Sequence, residues 1–262
     1  MNDFYVGYLP KAPMELARFT RRVVTGVALM TVAIVLLLLR GQAPFPPSAF
    51  EFGKVRSFEG VIQAQPYAVL LVARPGQTDA EDRYSDYLLV APGKHGADDL
   101  VSGLAGKSVR LRGQLIYRDG VTMIEVEPGS ISLRESESAS AQPTRSLGVV
   151  TVAGEIVDSK CYLGVMNPGS GKVHRDCASR CLSGGVPPIF ISADDHQQFM
   201  LVGTDGKALG RDALREFIAE PLVIQGELFE RGDQRLLRVD PKSLRHQSDR
   251  LTASGHFAQP RM

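Results

Sequence analysis

Sliding the chain along itself by 113 positions aligns residues 87–131 with 200–244 without a gap. Ten of those 45 positions carry the same residue, among them Gly93/Gly206, Lys94/Lys207, Gly113/Gly226, Arg118/Arg231 and Pro128/Pro241. The apolar pattern recurs as well: Val109/Leu222, Leu111/Ile224, Ile116/Phe229, Met123/Leu236, Ile124/Leu237 and Ile131/Leu244. Turn residues and core residues staying in step is the mark of an internal repeat, so the chain must bury the same faces twice, as two copies of one small unit.

Each copy reads in the same order. An opening strand (residues 60–62; 154–156) leads through a loop to a strand at 87–90 or 199–202. A short helix is expected at 97–105 or 210–218, because Leu100, Val101 and Leu104, or Ala213, Leu214 and Phe217, have the spacing of one apolar face. Two strands follow, joined by the tight turns Arg118-Asp119-Gly120 and Arg231-Gly232-Asp233. The mid-strand Gly113 and Gly226 suggest a bulge or sharp coil where a small barrel closes. The fold class is therefore mainly β, and the order of elements resembles the OB-fold, a five-stranded barrel with its helix between strands three and four. An open β-sandwich is the alternative. The first unit is expected over 54–133 and the second over 147–245, separated by a polar linker at 134–146 and followed by a polar tail at 246–262.

Ahead of both copies, residues 23–39 form an apolar run without a charge, long enough with flanking arginines to cross a bilayer. Lys11, Arg18, Arg21 and Arg22 precede it and Arg40 follows. By the positive-inside rule, the leader at 1–22 faces the cytoplasm and the remainder the periplasm or exterior, which predicts a single-pass protein of a bacterial inner membrane. Residues 40–53 are a Pro-rich spacer. A cleaved signal peptide competes with this anchor, since Gly41 and Ala43 offer a small-x-small site, and Thr20-Arg21-Arg22 partly resembles a twin-arginine signal.

The second copy holds 19 more residues than the first between its opening strand and the strand near 200. This insertion, residues 158–188, contains all three cysteines of the protein. Residues 172–183 read as a helix stopped by Gly184-Gly185 and Pro187-Pro188, and on it His174, Cys177 and Cys181 stand at i, i+3 and i+7, one face. With Cys161 from the preceding loop they make a Cys₃His set, suited to tetrahedral zinc or another soft metal, and less well to haem. Two further readings stay open. A disulfide could staple Cys161 to Cys177 or Cys181, or a thiol pair could be redox-active. Met166 is a soft side chain nearby, expected to pack rather than ligate.

Other features add little chemistry. The acidic run at 78–86, taken as the first copy's counterpart of the insertion, lacks the order of a calcium loop. His95, His196, His246 and His256 are expected at the surface. With 30 basic and 29 acidic residues there is no excess charge for a nucleic acid. No nucleophile elbow, phosphate loop or dinucleotide fingerprint is present, so an independent enzyme is not expected. One leading helix before an exported OB barrel resembles the haem chaperone of cytochrome c maturation, whose His-x-x-x-Tyr attachment motif the chain lacks; that resemblance implies a carrier or assembly factor. The leading expectation is a membrane-anchored accessory or electron-transfer-associated protein serving a membrane protein complex. The remaining alternative is a structural interaction module with a stapled insertion.

Overall fold

The computed structural model describes residues 13–41, 48–76, 83–135 and 142–248. Helix α1, Met14–Gly41, runs 28 residues, about 42 Å at 1.5 Å per residue. It contains the apolar run at 23–39 and extends a further two turns toward the N-terminus, through Arg18, Arg21 and Arg22. Its apolar side chains are exposed, and it is long and apolar enough to span a membrane. It forms one unit of the chain, and residues from Pro47 onward form another. Of the spacer, residues 42–47 lie outside the described residues, while Ser48–Phe50 pairs as a short strand against residues 116–118.

The second unit contains two closed five-stranded barrels. The first uses β1 (Arg56–Gln63), β2 (Val69–Ala73), β3 (Tyr84–Ala91), β4 (Ser108–Arg118) and β5 (Val121–Val126). Strand β1 pairs antiparallel with β2 and β4, β2 with β3, and β4 with β5; a parallel β3–β5 pairing closes the ring. The second uses β6 (Thr144–Asp158), β7 (Pro188–Ser192), β8 (Gln198–Val202), β9 (Leu222–Arg231) and β10 (Gln234–Arg238), joined by the same five pairings. This is the OB-fold arrangement.

The repeat explains the interiors. Ile62/Ile156, Leu70/Phe190, Leu89/Leu201, Val109/Leu222, Leu111/Ile224 and Ile124/Leu237 fill the two barrels at matching positions. One detail of the alignment is corrected by register. Leu201 pairs with Leu237 as Leu89, not Leu88, pairs with Ile124, so the second copy carries one extra residue between β8 and β9. The expected helices are also smaller than the apolar spacing implied. Residues 97–105 form successive turns, with Gly103 and Gly106 at positive φ, and only Arg211–Leu214 (α3) is helical in the second copy. Gly113 sits where a Cβ would strike Ile124 and the Glu125 carbonyl, and Gly226 where one would strike the Arg238 carbonyl. Close approach of the hairpin partner thus requires glycine at both sites. The register shift in the β6–β9 pairing lies opposite Leu228 and Phe229, where Leu147 is the extra residue on β6.

The barrels face one another through a third apolar cluster, again built from matching positions. Leu88/Met200, Val90/Val202, Ile116/Phe229, Met123/Leu236, Val69/Ile189 and Leu71/Ile191 all belong to it. Ile116/Phe229 and Met123/Leu236 therefore serve the contact between the barrels rather than their interiors. Polar contacts are reciprocal too. Gln198 of β8 donates to the Arg118 carbonyl in the first barrel's hairpin (3.3 Å), and Asp233 in the second barrel's hairpin accepts from the backbone N–H of Asp86 (3.3 Å), the β3 counterpart of Gln198. The arrangement is that of an isologous dimer carried on one chain.

Candidate metal centre

The insertion occupies the connection between the first two strands of the second barrel, residues 159–187. In the first barrel the same connection is only residues 64–68, while the following loop is longer there (74–83 against 193–197); with Leu89 matching Leu201 the net difference is 18, and the nineteenth residue is the extra one between β8 and β9. The acidic run at 78–86 is thus not the counterpart of the insertion. Its last three residues belong to β3, and 77–82 lie outside the described residues.

Strand β6 ends at Asp158, and the chain makes a wide helical turn at Cys161–Val165. Asp158 Oδ1 accepts the backbone N–H of Cys161 at 2.8 Å and so fixes the start of that turn. Arg118 of the first barrel donates to the Tyr162 carbonyl at 2.7 Å, its guanidinium stacked on the Tyr162 ring. A 3₁₀ turn at Lys172–His174 then leads into α2, Arg175–Ser183. The Gly171 N–H at its entry is accepted by Glu155 (2.9 Å), whose carboxyl is pushed up by burial. Ala178 and Leu182 pin α2 against Ile218 and Ala219, which turns Cys177 and Cys181, one turn apart, toward Cys161.

The three thiols converge. Cys161 Sγ lies 3.8 Å from Cys177 Sγ and 3.8 Å from Cys181 Sγ, and all three sulfurs lie within 4.8 Å of one another. None is in a disulfide. Cys161 and Cys181 are buried and Cys177 half-buried. A metal–thiolate bond of about 2.3 Å in a tetrahedron implies sulfur–sulfur edges of about 3.8 Å, so the spacing matches a single ion held by all three. The Cys161 thiol is pushed up by its hydrogen bond to Cys181 and by burial; Cys181 is drawn down by that same bond and by the Lys94 charge, with burial opposing.

His174 takes a different place from that implied by its spacing. It is buried, and its Nε2 lies 2.9 Å from Asp158 Oδ2. Its ring groups with Asp158 and Cys161 in a second constellation rather than with the three sulfurs. The i, i+3 argument assumed one regular helix, whereas His174 ends the 3₁₀ turn and Asp158 draws its ring aside. Met166 is 44% exposed and closes the Cys161 turn through its N–H (3.1 Å). Of the other histidines, His95 and His196 are exposed, His246 stacks on Phe217, and His256 lies outside the described residues.

Two lysines were not singled out by the sequence. Lys94, from the turn after β3 of the first barrel, places Nζ 2.7 Å from Cys177 Sγ and 3.7 Å from Cys181 Sγ, and the bond to Cys177 raises its basicity further. Lys160, 2% exposed, bonds Glu125 of the first barrel (2.5 Å) and the carbonyls of Ala91 (2.8 Å) and Gly93 (2.7 Å). It therefore holds the turn that carries Lys94. The end of α2 meets that turn backbone to backbone. Gly96 N–H donates to the Gly184 carbonyl (2.8 Å), and a Cβ on Gly184 would overlap the Lys94 carbonyl. The only trace of Lys94 in the sequence was its identity with Lys207, which is exposed beside Asp205.

Fold and site together define a tandem OB-like barrel protein with a largely buried three-thiol cluster at the contact between its barrels. Compared with family models, with curated proteins and with solved structures, the chain matches none.

Proposed function

We propose that this chain is a membrane-tethered accessory protein whose second barrel holds one soft metal ion on Cys161, Cys177 and Cys181, on the exported side of a bacterial inner membrane. The observation that carries the reading is the convergence of three sulfurs, with Cys161 3.8 Å from each of the other two and all three within 4.8 Å, a spacing compatible with a mononuclear thiolate site. A cluster of several irons would spread its thiolates farther apart. Asp158 has both oxygens engaged, by Cys161 N–H and by His174, which leaves sulfur as the donor type facing the centre. Sulfur donors suit zinc, monovalent copper or a comparable thiophilic ion over magnesium or calcium. The arginines and lysine ahead of the apolar run support the orientation, and the tether would keep the metal within reach of a membrane complex, in an electron-transfer or assembly role.

Elemental analysis of the full chain, purified in detergent under reducing conditions, tests the reading. One equivalent of a soft metal is expected, and Cys177→Ser should lose it. Absence of metal with two of three thiols oxidised would replace the reading with that of a stapled interaction module.

A further inference from the structure

We infer that the centre is a three-thiolate site whose charge is balanced by the Lys94 ammonium of the first barrel, hydrogen-bonded to the sulfurs and not itself a ligand, and to which the His174 ring does not contribute, so that a metal is held at full affinity only when both barrels contribute. The inference rests on the metal reading above and specifies how that site is built. Lys94 Nζ contacts two of the three sulfurs, at 2.7 and 3.7 Å, whereas His174 Nε2 is committed to Asp158 at 2.9 Å. Charge points the same way. Three thiolates around a divalent ion leave one negative charge in a site where Cys161 and Cys181 are buried, and a buried unpaired charge is costly. Lys160 is already paired with Glu125, and the His174 ring is hydrogen-bonded to Asp158, so among the described contacts to the sulfurs Lys94 supplies the cancelling charge. On binding, the ion replaces the thiol protons, which leave to solvent, and the ammonium donates to the thiolate that remains nearest to it. Lys94 is thus a positioning and charge-balancing residue, comparable with the outer partners that tune metal ligands elsewhere.

The test is metal affinity of the full chain in detergent, by competition between a chelator and Zn²⁺, for wild type, Lys94→Met, Lys94→Arg and His174→Gln. Lys94→Met is expected to weaken binding about 10- to 100-fold. Lys94→Arg should restore it to within a few-fold, and His174→Gln should change it less than Lys94→Met does. Cd²⁺-loaded protein gives a readout that folding alone would not move. Loss of the N–H donor raises the energy of the Cys177 lone pair, so the sulfur-to-metal absorption of Lys94→Met should shift to longer wavelength. Unchanged affinity and absorption in Lys94→Met, or a larger loss in His174→Gln, would overturn the inference while leaving the metal reading intact. A wild-type chain that takes up neither ion would overturn both.

Discussion

Replacing Lys160 by Met should be among the most damaging single changes in the second unit, and the contacts set its size. The ammonium is bonded to one carboxylate and two carbonyls, all supplied by the first barrel, and Glu125 has only 12% of its side chain exposed. Methionine fills similar space, so the loss is electrostatic: a nearly dry carboxylate and two carbonyls are left without a donor. Breaking a buried pair from one side costs about 3–5 kcal/mol. The lower end applies here, because the exposed fraction of Glu125 can still draw water. Lys160→Met/Glu125→Gln should recover part of the loss, with a coupling of about 2 kcal/mol in a double-mutant cycle. Thermal unfolding of the full chain in detergent, followed through the tyrosines in the near ultraviolet, measures both quantities. A single variant within 1 kcal/mol of wild type, or additive effects in the cycle, would refute the view that this pair clamps the barrels together.

Asp86 provides a pH prediction at the same contact. Burial, opposed by the hydrogen bond from Gln142, raises its carboxyl to about 6, with Asp233 adding repulsion and Arg231 opposing it. A raised acid binds its proton more tightly in the folded state, so its contribution is complete below about pH 4 and is lost as pH rises through about 6. At 1.36 kcal/mol per pH unit this amounts to at most about 3 kcal/mol. Unfolding measured from pH 4 to 8 should show that slope in wild type and a flatter one in Asp86→Asn; parallel curves would count against it. Phe229→Ala, which empties a position in the inter-barrel cluster, should cost about 3 kcal/mol by the same unfolding assay. Gly184→Ala should force α2 away from the Lys94 carbonyl, costing about 1–3 kcal/mol and weakening metal uptake in the chelator competition.

The barrels were legible in the sequence because a closed sheet repeats its constraints. Interior positions such as Val109/Leu222 and hairpin turns at Arg118 and Arg231 recur, and each has a local signature. The contact between barrels was not legible. Leu88, Ile116 and Met123 look like ordinary strand residues, and nothing local says that a second barrel covers them. The first copy's helix was overread because the i, i+1, i+4 spacing ignored Gly103 and Gly106, whose positive φ stops a helix within a turn; in the second copy the helix ends at Leu214 and Ala219 turns the chain at positive φ. At the candidate centre, regular helical spacing brought Cys177 and Cys181 together, since both lie within α2. The same spacing misplaced His174, which precedes that helix. Lys94 lies 83 residues from Cys177, and only the docking of the barrels brings them into contact.

The reciprocal packing has an evolutionary consequence. In an assembly of two identical chains, any loop grown at one corner appears at the other, and both must be tolerated. Here each connection between the first two strands reaches the far end of the other barrel's third strand. The short one does so with Tyr67, whose hydroxyl donates to the Leu201 carbonyl, and the long one with the turn and helix that present the thiols to Lys94. Joining the halves covalently frees the corners from one another. One could remain a plain structural latch while its twin lengthened into the insertion that carries the three thiols, an asymmetry that a dimer of identical chains could not hold.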